Sequence, residues 1–245
     1  RGVTGKGAVE SDGHIGKDHN QGIEQAQQDR LPGGCEGHTA HHEGGDCDEH
    51  AAAAREMAQK SMVLLKNDGM LPLTTKKIAL YGAGASMTIK GGTGSGEVNE
   101  RHSVTILEGL KSRGFTIATE AWIADFERLY AEAEAAYKVE KKKRINILKP
   151  NSIMDMLMED FRAPCGPVID DGYVAASDPD SCVYVVSRQA GEGGDRKAEK
   201  GDFFLSDEEL TAIRFCAEKY PHFVLAINAG SSIDMGFMED IEGIN

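Results

Sequence analysis

Long apolar runs, aromatic side chains and positive charge are all in short supply in this sequence. No stretch approaches the roughly 20 apolar residues that a bilayer-crossing helix needs, so no membrane partner is expected. Lys and Arg number 27 against 40 Asp and Glu, giving a formal charge of −13. Such a chain repels phosphate backbones, which argues against nucleic acid as a partner. Its basic run, Lys141-Lys142-Lys143-Arg144, closes a helical pattern, where positive charge suits the carbonyl end of the helix dipole. Aromatics make up 6%, with Trp122 alone of its kind. Cys35, Cys47, Cys165, Cys182 and Cys216 are odd in number and scattered, which speaks against a disulfide framework and for a reducing compartment. The opening Arg1-Gly2-Val3-Thr4-Gly5-Lys6 has neither an initiator Met nor a signal-peptide core, so the expected location is cytoplasmic.

What is present is the make-up of a soluble globular chain with a buried core. Of 245 residues, 40% are hydrophobic and 27% charged, and 29 glycines provide for turns and close backbone approaches. Residues 1–50 show little apolar periodicity and hold six of the eight histidines, and from Pro32 to Asp48 they read as a linker. A helix is predicted from about Glu49 to Leu65, with Met57, Ser61, Leu64 and Leu65 near one face and Asn67-Asp68-Gly69 ending it.

Strands and helices then alternate. Ile78–Tyr81 reads as a short strand running into Gly82-Ala83-Gly84. Residues 103–110 read as a helix stopped at Gly114, and Phe115–Thr119 as a strand. From Trp122 to about Tyr137, a stripe of Trp122, Phe126, Leu129, Tyr130 and Ala133 marks a helix with a core face. Residues 145–181 are irregular, with one short helix expected around Ile153–Met158. Cys182–Val186 and Phe223–Asn228 are uninterrupted apolar strands. Between them, Ser206 and Glu209 form a capping box that opens a helix reaching about Tyr220. Such strands alternating with helices predict an α/β fold: a mainly parallel sheet with helices on both faces, preceded by a partial barrel-like or irregular N-terminal segment. Ligands in such sheets gather at the carboxyl ends of the strands, so the loops after Tyr81, Val186 and Ile227 should share one rim.

Four separated passages resemble one family, glycoside hydrolase family 3. Lys60-Ser61-Met62-Val63-Leu64-Leu65-Lys66-Asn67 followed by Leu71-Pro72-Leu73 is similar to the passage that opens the family's sandwich domain. Gly91-Gly92-Thr93-Gly94-Ser95-Gly96 is similar to its glycine-rich loop beside the sugar site. Arg188-Gln189-Ala190-Gly191-Glu192-Gly193-Gly194-Asp195-Arg196, with Gly201-Asp202 and Leu205-Ser206 after it, matches the family's acid/base passage. Asn228-Ala229-Gly230 with Asp234 resembles a fourth segment.

The resemblance implies an (α/β)6 sandwich domain over 51–245, C-terminally incomplete, packed against a (β/α)8 barrel, with 1–50 as barrel remnant and linker. It also implies a retaining glycosidase, β-glucosidase-like, that releases terminal non-reducing β-linked sugars. Glu192 would be the acid/base. Asp12, in Val9-Glu10-Ser11-Asp12-Gly13, falls on the nucleophile, although Gly13 stands where the family commonly has tryptophan and Gln27 where it has glycine. Gly92, Gly94, Ser95, Gly96, Arg188, Asp195 and Arg196 would line the substrate, an oligosaccharide or an aryl or alkyl glycoside, with no cofactor. Self-association into a homo-oligomer is compatible with this picture. Glucose, xylose, N-acetylglucosamine and arabinose all stay open as the sugar.

The chemistry agrees with a role for Glu192. Retaining hydrolysis needs one carboxyl group to protonate the departing oxygen and another to attack the anomeric carbon, about 5–5.5 Å apart. A glutamate flanked by glycines at a strand's carboxyl end can reach a ligand unhindered.

Three other readings compete. Cys35/His38 and Cys47/His50 have zinc-like spacing, with a solvated linker as the plainer reading and no metal expected. Gly82-Ala83-Gly84 after a strand suggests a nucleotide loop, but Met87 occupies the third glycine's position. The strongest alternative is a non-catalytic carbohydrate-binding or scaffold fragment that keeps the sandwich fold.

Overall fold

A computed structural model describes residues 45–92, 102–144, 161–177, 179–191 and 196–244. The chain divides into two compact units: residues 1–61 with 99–101, and residues 62–98 with 102–245. The first unit contains helix α1 (Gly45–Ser61). From Asp48 to Ser61 its residues are exposed, and Lys60 pairs with Glu56 one turn earlier at 2.5 Å.

The second unit holds a four-stranded, wholly parallel sheet of β1 (Lys77–Tyr81), β2 (Thr116–Ile117), β3 (Ser181–Arg188) and β4 (His222–Ala229), in the order β2-β1-β3-β4. Helix α2 (Ile106–Ser112) joins β1 to β2. Helices α3 (Glu120–Arg144) and α4 (Asp171–Ser177) lie between β2 and β3, and α5 (Asp207–Lys219) joins β3 to β4. The expected parallel α/β fold is therefore present, with four strands among the described residues.

Strand order places the helices. Parallel crossovers are right-handed, and the chain moves one way across the sheet from β1 to β2 and the other way afterwards. Helix α2 therefore covers one face, and α3 and α5 the other. The packing agrees: Tyr81 of β1 meets Trp122 of α3 edge-on at 5.3 Å between ring centroids. Its hydroxyl also lies 2.9 Å from that of Tyr220, at the end of α5. Trp122 stacks on Phe126 in turn at 5.7 Å. Every residue from Ile78 to Tyr81 is fully buried, as expected of a strand covered on both faces.

The helix ends follow their local chemistry. Thr105 caps α2 in a capping box with Glu108, and Ser206 caps α5 in another with Glu209. Gly114, with φ of 80°, takes the left-handed turn after α2. The basic run Lys141–Arg144 forms the last turn of α3.

The structure corrects three expectations. Helix α1 stops at Ser61 rather than Leu65, its serine hydroxyl bonding back to the Ala58 carbonyl, and Met62–Leu65 run on as exposed, irregular chain. Asn67 therefore ends no helix: its amide accepts from Leu71 N–H and donates to Leu71 C=O, both at 2.9 Å, closing a turn through Gly69 at φ 93°. Helix α4 appears inside the segment expected to be irregular. Asp170 accepts a hydrogen bond there from the Tyr173 N–H, a local cap that composition alone did not single out. The helix expected at Ile153–Met158 lies outside the described residues.

Candidate functional site

Between β1 and β3 the direction of chain travel reverses, and that switch point is where parallel α/β sheets open a crevice at their carboxyl edge. The loops that leave β1 and β3 there are the glycine-rich loop and the Glu192 loop.

The β1 exit is shaped by glycine. Gly82 has φ of 88°, and a Cβ there would sit 2.3 Å from the Val185 carbonyl oxygen of β3. A Cβ on Gly84 would fall 2.5 Å from Val185 Cγ1. These glycines let the loop lie against β3, and the chain continues in a short 3-10 turn at Ala83–Ala85, not in the long helix a dinucleotide loop would open.

From there the loop is pinned to the ends of β3 and β4. Ser187 and Asn228 are register partners across those strands. The Ser187 hydroxyl donates to Met87 C=O at 3.3 Å. Asn228 grips Ile89 at both ends of its amide, accepting from the N–H at 2.5 Å and donating to the C=O at 3.1 Å. Gln189 then donates to the Gly91 carbonyl at 2.6 Å. The two loops are thereby joined at their stems, with exposed Gly91 and Gly92 beside Gln189.

The stems of the Glu192 loop are charged and buried. Arg188, 9% exposed, donates to both oxygens of Glu209 at 2.7 and 2.5 Å. It also donates to Asp202 C=O at 3.1 Å and Ser187 C=O at 2.8 Å, so each of its nitrogens has a protein acceptor. Burial disfavours its charge, and the Glu209 carboxylate outweighs that, holding its pKa up. Glu209 serves twice, because the same carboxylate accepts from the Ser206 N–H at 2.8 Å in the capping box of α5.

On the far side of the loop, Arg196 pairs with Asp202 at 2.9 Å. The Lys197 N–H donates to the other carboxylate oxygen at 3.1 Å, and the Arg162 guanidinium stands 3.7 Å from it. Burial pushes the Asp202 pKa up, but the hydrogen bonds from Arg196 and Lys197 and the two guanidinium charges hold the carboxyl below its ordinary range. Arg196 Nε and Nη2 are buried without a hydrogen-bond partner among the described residues.

Among the site residues expected from sequence, the structure describes Gly92, Arg188 and Arg196. Arg188 and Arg196 hold the two stems of one loop, and Gly92 sits at the exit of the other. Glu192, Asp195, Gly94, Ser95, Gly96 and Asp12 lie outside the described residues, as do Cys35 and His38 and the Cys47 side chain; His50 is exposed on α1. Among the described residues, no group of three or more His, Cys, Asp or Glu could hold a metal ion, and no helix is long and apolar enough to cross a membrane. Sequence reading passed over Glu209 as more than a cap, and over Asp202, Gln189 and Asn228 as anchors. The available signal was a polar residue ending an apolar strand, as Asn228 does.

A parallel α/β sandwich domain with two joined loops at its switch point is the class this fold and site define. Residues 62–244 match the glycosyl hydrolase family 3 C-terminal domain, and the chain belongs to that family. It is 27% identical over 205 residues to a β-glucosidase of Ruminococcus albus, covering 80% of this chain and 19% of that protein. To β-glucosidase A of Butyrivibrio fibrisolvens it is 28% identical over 211 residues, covering 76% of this chain and 23% of the relative. The chain thus spans about a fifth of the length of these curated relatives, at 19% and 23%. β-Glucosidase 3B from Thermotoga neapolitana, solved in complex with α-D-glucose, matches with a TM-score of 0.59 at 32% identity, over 81% of this chain and 27% of that one. A β-glucosidase from Paenibacillus barengoltzii shares the fold, with a TM-score of 0.61 at 24% identity, over 78% of this chain and 19% of that one.

Proposed function

We propose that this chain supplies the acid/base side of a retaining, exo-acting β-glycosidase of β-glucosidase type, working with a (β/α)8 barrel. Glu192 protonates the oxygen of the departing group while a barrel carboxylate attacks the anomeric carbon; Glu192 then takes a proton from the water that releases the sugar. Asp12 is the nucleophile in this reading. The loops 91–99 and 188–196 face the sugar in this reading, through Gly92, Gly94, Ser95 and Gly96 of one and Asp195 of the other, while Arg188 and Arg196, paired with Glu209 and Asp202, hold the stems of the second loop. The substrate is a β-linked oligosaccharide or an aryl or alkyl β-glycoside. The observation that carries the proposal is the Gln189 to Gly91 bond, which joins the stems of the two loops at the switch point of a family 3 domain.

Glu192→Ala tests it on aryl β-glucosides of graded leaving-group ability. The expected result is a loss in kcat/KM of about 10²–10⁴-fold where the leaving group needs a proton, and far less where it does not. Azide should restore turnover as the glycosyl azide. An equal loss on all substrates, without azide rescue, would overturn the assignment. Sugar binding without hydrolysis by the unaltered protein would favour a scaffold role instead.

A further inference from the structure

Resting on that reading, we propose that Asp202 is a positioning residue that staples the two stems of the Glu192 loop together. One residue reaches both sides. Its backbone carbonyl accepts from Arg188 Nε on the entry stem at 3.1 Å. On the exit stem, its carboxylate accepts from Arg196 Nη1 at 2.9 Å and from the Lys197 N–H at 3.1 Å. Arg162, from the segment before α4, adds charge 3.7 Å away and is itself paired with Glu199.

Asp202 is itself fixed. It sits in a tight turn where Gly201, at φ 80°, donates its N–H to the Phe204 carbonyl and the Glu199 carbonyl accepts from the N–H groups of Asp202 and Phe204. The Asp234 N–H donates to the neighbouring Phe203 carbonyl at 2.8 Å, tying that turn to the loop after β4. Its carboxylate is 13% exposed, so water competes little for these bonds. A loop rich in glycine has little of its own to hold it in one place. A catalytic group displaced by about 1 Å can lose about 10²-fold in rate, so the point where the stems are fastened governs where the acid stands.

The test is Asp202→Asn in the full-length polypeptide, which preserves shape and removes the charge, read beside Glu192→Ala. The staple predicts that kcat/KM, which reports the step that expels the leaving group, falls by about 10–100-fold on an alkyl β-glucoside and changes by less than about 3-fold on a dinitrophenyl β-glucoside, whose leaving group needs no proton. It predicts no such split for Tyr81→Phe, a core change that removes only the hydroxyl contact with Tyr220. Equal losses on both substrates overturn the staple and leave the Glu192 assignment standing, provided Glu192→Ala itself discriminates. If Glu192→Ala does not discriminate, both fall. Should Asp202→Asn fail to fold, Arg196→Gln reads the same fastening from the exit stem, with the same split expected and equal losses overturning the proposal.

Discussion

Arg188 and Glu209 are 21 positions apart in sequence and share a two-point ion pair at the base of the loop. Charges this far from water are costly to leave alone, and removing one member of a buried pair costs about 3–5 kcal/mol. Arg188→Met is therefore expected to lower unfolding free energy by about that amount, measured by urea denaturation. Adding Glu209→Gln should recover part of the loss, since glutamine carries no charge and still offers an oxygen to the Ser206 N–H. A double variant no more stable than Arg188→Met would show that the buried charge is not the cost. In sequence, Arg188 was one letter of a motif and Glu209 one letter of a cap. Only a fold that brings the end of β3 beside the start of α5 makes them partners.

At the scale of elements, the informative case is the latch between β4 and the glycine-rich loop. Asn228 pairs with Ile89 through both ends of its amide, as one strand pairs with another. Asn228→Asp keeps the size and turns the donor into a second acceptor facing the Ile89 carbonyl. A stability loss of about 1–3 kcal/mol is expected in thermal or urea unfolding. On the proposed assignment of the acid to the other loop, KM for an aryl β-glucoside should rise while kcat holds. A fall in kcat alone would contradict that division of labour. The elements themselves were largely legible: continuous apolar runs marked β3 and β4, and Ser206-x-x-Glu209 marked the start of α5. The end of α1 was not, because alanine-rich propensity extends the helical pattern through Leu65 while the chain leaves it at Ser61. Propensity is local and weak beside tertiary context.

Over the whole molecule, one side chain binds the layers together. Trp122 meets Tyr81 of β1, stacks on Phe126 within α3, and donates its indole N–H to the Pro167 carbonyl at 3.0 Å. Gly166 lies so close that a Cβ there would fall 2.7 Å from the Trp122 ring. Trp122→Ala should cost about 3–5 kcal/mol, checked by circular dichroism melts. A loss below about 1 kcal/mol would mean that the ring is not at the centre of the packing. The stripe of Trp122, Phe126 and Tyr130 was readable from its helical spacing. Its contact with Tyr81, some 40 positions earlier, was not.

By itself the sequence determined the apolar strands β1, β3 and β4, the core stripe of α3, the cap that opens α5 and which loops carry the family's motifs, since all of these depend on neighbours within a few residues. The tertiary structure alone decided that β1 lies between β2 and β3, that the chain reverses there, and that Asp202, Arg188 and Asn228 fasten the loops at that reversal. Strand order and register arise from pairings between distant segments, and no local periodicity encodes which partner a strand will take.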